Sequence, residues 1–525
     1  MPYRSATALS LALLVVLVLA ACSSGGNGYG GTAVITLLAE PAGLNPVVDR
    51  DTAGNVIPLL FSSLVALDSE LAPVPDLAES WEVSADGIQW TFHLRKGVKF
   101  HDGVELSSRD VLYTLRTFSD PAVSPRLSQL FGVVEAVDAP TLTDVRITLR
   151  SPYAPILNLL TVEILPAHLL ENGSASMEAF RRSPVGTGPF KLEEWKDGEI
   201  TLAAFRDYYS GRPYLDSVVF RSFADRRKAW SELMQGKVDL VPDLEADDYA
   251  VIKDDARFQV LSYPDVFYFT VLFNLDDPLT SEPVFREAVD LALDREDIIQ
   301  GTLGGAAVET TGPFRPGTWP YDPALAKAPH DPKRAKELLA SLGWKDEDND
   351  GALERQGKEL VLGLLVDRGD TLKVDVAQRI KWQLFGVGIK VELEFLTPQE
   401  MLGERLPSGR FQSALLQFNA AGDPDTFTYL FWHSHQIGAS NLAGYRNAQV
   451  DRLIEQGRVE SDVEKRVEIY RSIHRELARD RPAVFLFVPT KLVGMSSRLE
   501  GIQSTPTFLS LSAATWKIRT QSARR

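Results

Sequence analysis

The sequence predicts an α/β protein made of more than one packed unit. Three observations predict it. A chain of 525 residues is longer than one hydrophobic core serves, so two or three units are expected. Apolar content of 44% and charged content of 24% are those of a globular protein with ordinary cores. Strand-like and helical runs alternate. Over Glu359–Val366, Leu372–Leu384 and Lys390–Leu396 the order strand, helix, strand calls for a parallel pair.

The first element is Leu11–Cys22. Arg4 precedes an apolar run of signal-peptide length, too short to span a bilayer. Leu19-Ala20-Ala21-Cys22 resembles a bacterial lipobox, which implies cleavage before Cys22 and acylation of that residue. Residues 1–21 are then a signal peptide and 22–31 a glycine- and serine-rich flexible tether. An ordinary signal peptide or an uncleaved anchor are the alternatives. Cys22 is the only cysteine, so no disulfide forms within the chain. The expectation is a body outside the cytoplasmic membrane, held to it by lipid on Cys22.

Thr32–Ala39 reads as a buried strand, broken by Pro41, Gly43 and Pro46. Val56–Leu67 reads as a helix. Trp81 and Val83, then Ile88, Trp90, Phe92 and Leu94, alternate with polar residues about Ala85-Asp86-Gly87, which signals a hairpin. Ser107 or Ser108 caps a helix through Val111, Leu115 and Phe118. Thr143–Leu149 is strand-like. The glycines and prolines of Pro184–Phe190 demand tight bends. Strands follow at Phe190–Trp195, Glu199–Phe205 and Leu215–Phe220, then a helix at Ala224–Gly236 and a strand at Val238–Val241. Val266–Asn274 is continuously apolar, as a strand buried on both faces is. A helix follows at Glu282–Gln300. Asp331 and Pro332 open another, which Gly343 stops. Phe411–Phe418 is a strand. Val463, Val467, Tyr470, Ile473 and Leu477 recur at helical spacing, and Ala483–Val488 is a last buried strand.

The order of these pieces resembles the solute-binding proteins of ABC importers, the peptide/nickel-type family 5 group. The landmarks are Leu44-Asn45-Pro46, Leu77–Trp81, Phe92–Asp102, Gly186–Phe190 and Phe273-Asn274 ahead of Phe285–Ala288. After them come Asp331–Leu339, Gly422–Asp425 and Pro482–Pro489. The resemblance implies a two-lobed periplasmic-binding-protein-like fold (class II, large) with an extra domain inserted in the first lobe. It places the first lobe at 32–70, 184–267 and 490–525, the extra domain at 71–183 and the second lobe at 268–489. Ligand then binds between the lobes, which close over it.

The resemblance also implies the site. An extended ligand pairs with the strand Gln412–Asn419, so Leu416, Gln417, Phe418 and Asn419 are candidates. Peptide-binding relatives carry an aspartate for the peptide amine where this chain has Ala420. Either Asp423 or Asp425 replaces it, or the ligand has no such amine. Turn chemistry around Pro424 explains both aspartates equally. Arg50 and Thr52 follow Asn45-Pro46 on the first-lobe wall. Arg50 suits a ligand carboxylate, or is a solvated loop charge. Tyr268, Tyr429, Trp432 and Phe418 are cleft-wall candidates or core.

Two patterns look metal-binding. Asp346–Gly351 resembles the start of a calcium loop, but its twelfth position is Gly357. His433 and His435 lack further ligands in the sequence. No metal or cofactor is therefore expected. A net charge of −16 argues against nucleic-acid binding. No nucleophile elbow, zinc-protease motif or phosphate loop is present. The expectation is a monomeric binding protein, not an enzyme, that delivers a small solute, an oligopeptide or related molecule, to an ABC permease with a separate ATPase. A sensing receptor or adhesin with the same fold, and a secreted carboxylate hydrolase, are the other readings.

Overall fold

The structure, a computed structural model, describes residues 28–503, apart from 172, 174, 175, 243 and 245, and residues 512–519. The signal peptide, Cys22 and most of the tether lie outside the described residues.

One strand organises the rest. Ala483–Ser496 runs for 14 residues and is apolar along most of its length. Its first half pairs antiparallel with Phe267–Phe273, from Leu272↔Ala483 to Phe269↔Phe487. Its second half pairs antiparallel with Phe258–Pro264, from Pro264↔Thr490 to Phe258↔Ser496. Two neighbouring strands therefore leave one half of a 12-stranded sheet together and enter the other half. On one side lie Val361–Asp367, Lys390–Leu396 and Ser413–Asn419. On the other lie Thr32–Leu37, Ser217–Ser222, Glu199–Ala204 and Phe190–Lys196. Each half has its own core, one around Phe285, Leu364 and Ile380, the other around Ile35, Phe190 and Phe220. The halves are the two lobes of the fold. The sequence pattern ends the last strand at Val488, but the structure carries it to Ser496. Pro489 has no N–H to give, and it falls where the strand changes partners. Its carbonyl accepts the Asp265 N–H at 2.7 Å.

Local patterns place many elements. The parallel pair forms from Val361↔Lys390 to Asp367↔Leu396, around the helix Thr371–Phe385. Asp331 caps Pro332–Ser341 by accepting the Arg334 N–H at 2.9 Å. The hairpin forms with Trp81↔Phe92 and Val83↔Trp90, inside a separate four-stranded sheet. Ser107 and Asp110 make a reciprocal cap on the helix Ser108–Ser119, whose Val111, Leu115 and Phe118 pack with Trp90 and Phe92. Burying each such ring contributes about 1.5–3 kcal/mol.

Val56–Leu67 is not one helix. Ile57–Leu60 makes a single turn, and Val65–Leu67 is a strand paired with Pro73–Pro75. Tertiary partners claim the backbone groups that a helix needs. Gly188 N–H donates to Leu60 O at 2.9 Å and Leu77 N–H to Ser63 O at 3.0 Å. The Pro184–Phe190 segment comes this close because of its glycines. A Cβ on Gly186 would meet Leu60 O at 2.0 Å, and one on Gly188 would meet Leu59 O at 2.5 Å. Gly188→Ala is therefore expected to lower the urea midpoint, by about 1–3 kcal/mol of stability, with the slope of the transition unchanged.

Candidate ligand-binding site

The loop after Asn45-Pro46 is anchored by a buried carboxylate. Asp49 is buried and accepts the Asn45 N–H at 3.0 Å and Arg181 Nη2 at 2.7 Å. This fixes the start of the short helix Arg50–Ala53. Arg50 reaches across to Glu163, and donates to Thr161 O at 3.4 Å. Thr52 is exposed and donates to Asp49 O at 3.1 Å. Beside Arg50 opens a cavity of about 580 Å³, with Ser63, Asp76, Arg95, Glu163, Tyr208 and Tyr209 on its walls. Asp76 accepts from Tyr209 Oη and from Ser63 N–H at 3.0 Å. Burial raises the Asp76 carboxyl above the usual range, against the pull of these bonds.

The hairpin 65–75 supplies Ala66, Leu67, Val74 and Pro75 to the same cavity, and its tip touches the second lobe. Trp319 N–H donates to Glu70 O at 3.3 Å. Leu71, held at φ 65°, sits in a narrow socket with Phe314, Trp319, Ala420 and Phe427.

In the second lobe, Ser413–Asn419 pairs along its whole length with Phe267–Phe273. On its other edge Val361–Asp367 pairs only at Leu364↔Ser413 and Leu365↔Ala414. Beyond Ala414 no strand among the described residues occupies that edge. Leu416 and Phe418 are buried, Gln417 is half-buried and Asn419 is exposed.

The two aspartates stand next to each other in a charged cluster. Asp423 caps the helix Pro424–Trp432 and forms a two-bond pair with Arg466, each bond 2.6 Å. Both partners are buried. Asp425 is 1% exposed. Arg458 Nε stands 3.4 Å from its Oδ1 without the alignment of a hydrogen bond. Burial lifts the Asp425 carboxyl to about 7, against the attraction of Arg458. The Arg458 guanidinium lies 4.0 Å over the ring of Tyr429. Tyr268 and Trp432 sit wholly inside the second-lobe core, each packed on Phe485, so neither reaches a cleft surface here.

The metal-like patterns resolve differently. His433 Nδ1 accepts the His435 N–H at 3.1 Å. Its Nε2 faces Glu455 at 3.4 Å, and one ligand atom each of His433, His435 and Glu455 lies within 4.8 Å of the others, so the fold adds a third group to the histidine pair. The carboxylates of Asp346, Asp348 and Asp350 accept the N–H groups of Asn349, Asp350 and Ala352, and so shape an exposed turn.

The profile of the bacterial extracellular solute-binding proteins, family 5 Middle, matches residues 72–439. The chain belongs to this family of bacterial extracellular solute-binding proteins. Family 5 members are two-lobed binding proteins, and the chain is a binding protein and not an enzyme. The oligopeptide-binding protein AppA of Bacillus subtilis (strain 168) is 30% identical over 522 residues, covering 95% of this chain and 96% of AppA. The structure of B. subtilis AppA with a nonapeptide is similar at a TM-score of 0.65 and 29% identity, covering 94% of this chain and 99% of that one. NikZ from Campylobacter jejuni in complex with Ni(L-His) is similar at 0.68 and 27%, covering 93% and 99%.

Asp76, Arg95, Glu163, Tyr208 and Tyr209 were not singled out by sequence reasoning. Tyr209 meets Asp76 across 133 residues and Glu163 meets Arg50 across 113, and no local spacing marks the five. Arg95 lies inside the landmark Phe92–Asp102, which is the one signal that points towards it.

Asp425 makes stability depend on pH. Its carboxyl holds a proton more readily folded, near 7, than at its ordinary 3.8. Its contribution is therefore most favourable below about pH 4 and is lost as pH rises to about 7. Asp425→Asn is expected to flatten that decline. Urea midpoints at pH 5 and pH 8 check it, with the variant gaining on the wild type at pH 8.

Proposed function

We propose that the chain is a lipid-anchored receptor that captures a small peptide-like solute between its lobes and hands it to an ABC permease powered by a separate ATPase. The observation that carries this reading is the edge of the strand Ser413–Asn419 that no strand among the described residues takes beyond Ala414. An extended guest adds a strand there. Main-chain bonds supply affinity whatever the side chains, and flanking pockets supply choice. On this reading Leu416–Asn419 form the second-lobe wall and Arg50 and Thr52 belong to the first. Asp423 and Asp425 hold the corner that carries the wall. The peptide bound by AppA in its solved structure supports the same ligand class.

The working units are 32–70 with 184–267 and 490–525, the extra domain 71–183, and 268–489. Closure follows because a guest that touches both lobes binds the closed form better. Among the described residues no helix is long and apolar enough to cross a membrane. Attachment is assigned to acyl chains on Cys22, from the pattern Leu19–Cys22. The protein acts as a monomer, and no nucleic acid is involved.

Mass spectrometry of small molecules released from the protein purified from its own host identifies the solute. Adding that solute is expected to reduce the radius of gyration in small-angle scattering. Calorimetric binding without compaction would rule out capture by lobe closure. Cys22→Ser is expected to shift the protein from the membrane fraction to the soluble one, and retention at the membrane would refute acyl anchoring.

A further inference from the structure

The cavity beside Arg50 holds two guanidinium groups and two carboxylates, and they do not pair evenly. Arg50 takes Glu163. Asp76 has both oxygens engaged, Oδ1 by Tyr209 Oη and Oδ2 by the Ser63 N–H at 3.0 Å and the Ser63 hydroxyl at 3.3 Å. Arg95 donates only its Nε–H, to the carbonyl of Asp76 at 2.6 Å. Among the described residues its two terminal nitrogens have no hydrogen-bond acceptor and no carboxylate within 4 Å, although its charge acts on the nearby Asp76 carboxyl, and the side chain lines the cavity. A half-buried guanidinium fork left open in a concave site matches a planar oxyanion, which it grips by two parallel hydrogen bonds.

We propose that Arg95 is the anion hook of this protein, receiving a carboxylate of the captured solute, and that the solute is an acid that needs no free amine. The hook is not Arg50, whose charge Glu163 already meets. The second half follows from where the carboxylates are. The cavity keeps none free for an ammonium group. In the second lobe Asp423 is bound to Arg466, and Asp425 is enclosed beside Arg458. A solute amine removed from water would find no partner at these positions. This inference rests on the capture reading above and names its ligand class.

Calorimetry on the full chain with three probes tests it: N-acetyl-dialanine, its C-terminal amide, and unblocked dialanine amide. The acid is expected to bind at least about tenfold more tightly than either amide, as a charge-assisted pair gives. Arg95→Gln is expected to abolish that preference, and Arg95→Lys to restore part of it by returning charge without the fork. The acid–amide comparison on the wild type needs no variant to fold. Equal affinity for acid and amide overturns the hook and leaves capture standing. Tighter binding of the free-amine probe overturns the amine-independent half. Failure of all three to bind overturns the hook and the peptide-like capture reading together.

Discussion

The fold depends on a pair of neighbouring strands that pass from one lobe to the other without breaking the sheet. A single connecting strand would expose both its edges where the lobes part, leaving backbone groups without partners. Two adjacent antiparallel strands satisfy part of each other's backbone there, and a third segment, Ala306–Glu309, takes the rest. Asp265 N–H reaches Pro489 O at 2.7 Å, and Thr490 N–H is taken by Ala306 O at 2.9 Å. Because the crossing keeps its backbone bonds, each lobe can complete its own core on its own side. The site can then be assembled from segments that are remote in the chain.

Charge placement sorts scaffold from surface. Asp423 and Arg466 are buried together, and neither is available to a guest. A pair of this kind contributes little net stability against an apolar alternative, but losing one partner leaves a buried charge exposed to no water. Its use here is geometric. It fixes the corner where the strand Ser413–Asn419 turns into the helix Pro424–Trp432, and so fixes the direction of the open edge. The Asn45–Arg50 loop works alike: Arg181 holds Asp49, and Asp49 sets the direction of Arg50.

What the sequence made legible was local. The alternation around Ala85-Asp86-Gly87, the cap at Asp331 and the strand, helix, strand order at 359–396 each needed only near neighbours, and each formed. Val56–Leu67 failed because Gly188 and Leu77 claim its carbonyls from outside the window. The site was legible to a similar depth. Asp423 caps the helix after Pro424, one of the two roles its position allowed, but the arginine that occupies it lies 43 residues on. Arg50 was visible, while the glutamate that meets its charge is 113 residues away. Tyr268 and Trp432, aromatic and near the right strands, give no local sign of which way they face.

The crossing ribbon behaves as a leaf spring of two leaves. On the proposed capture reading, its resting curvature sets how often the empty jaws stand ready, and apparent affinity scales with that fraction. On that reading Asp265 and Lys491, 3.8 Å apart at the bend, bear on grip strength although neither lines the cavity beside Arg50. Selection acting on such positions can retune uptake across concentrations while the recognition surface stays unaltered.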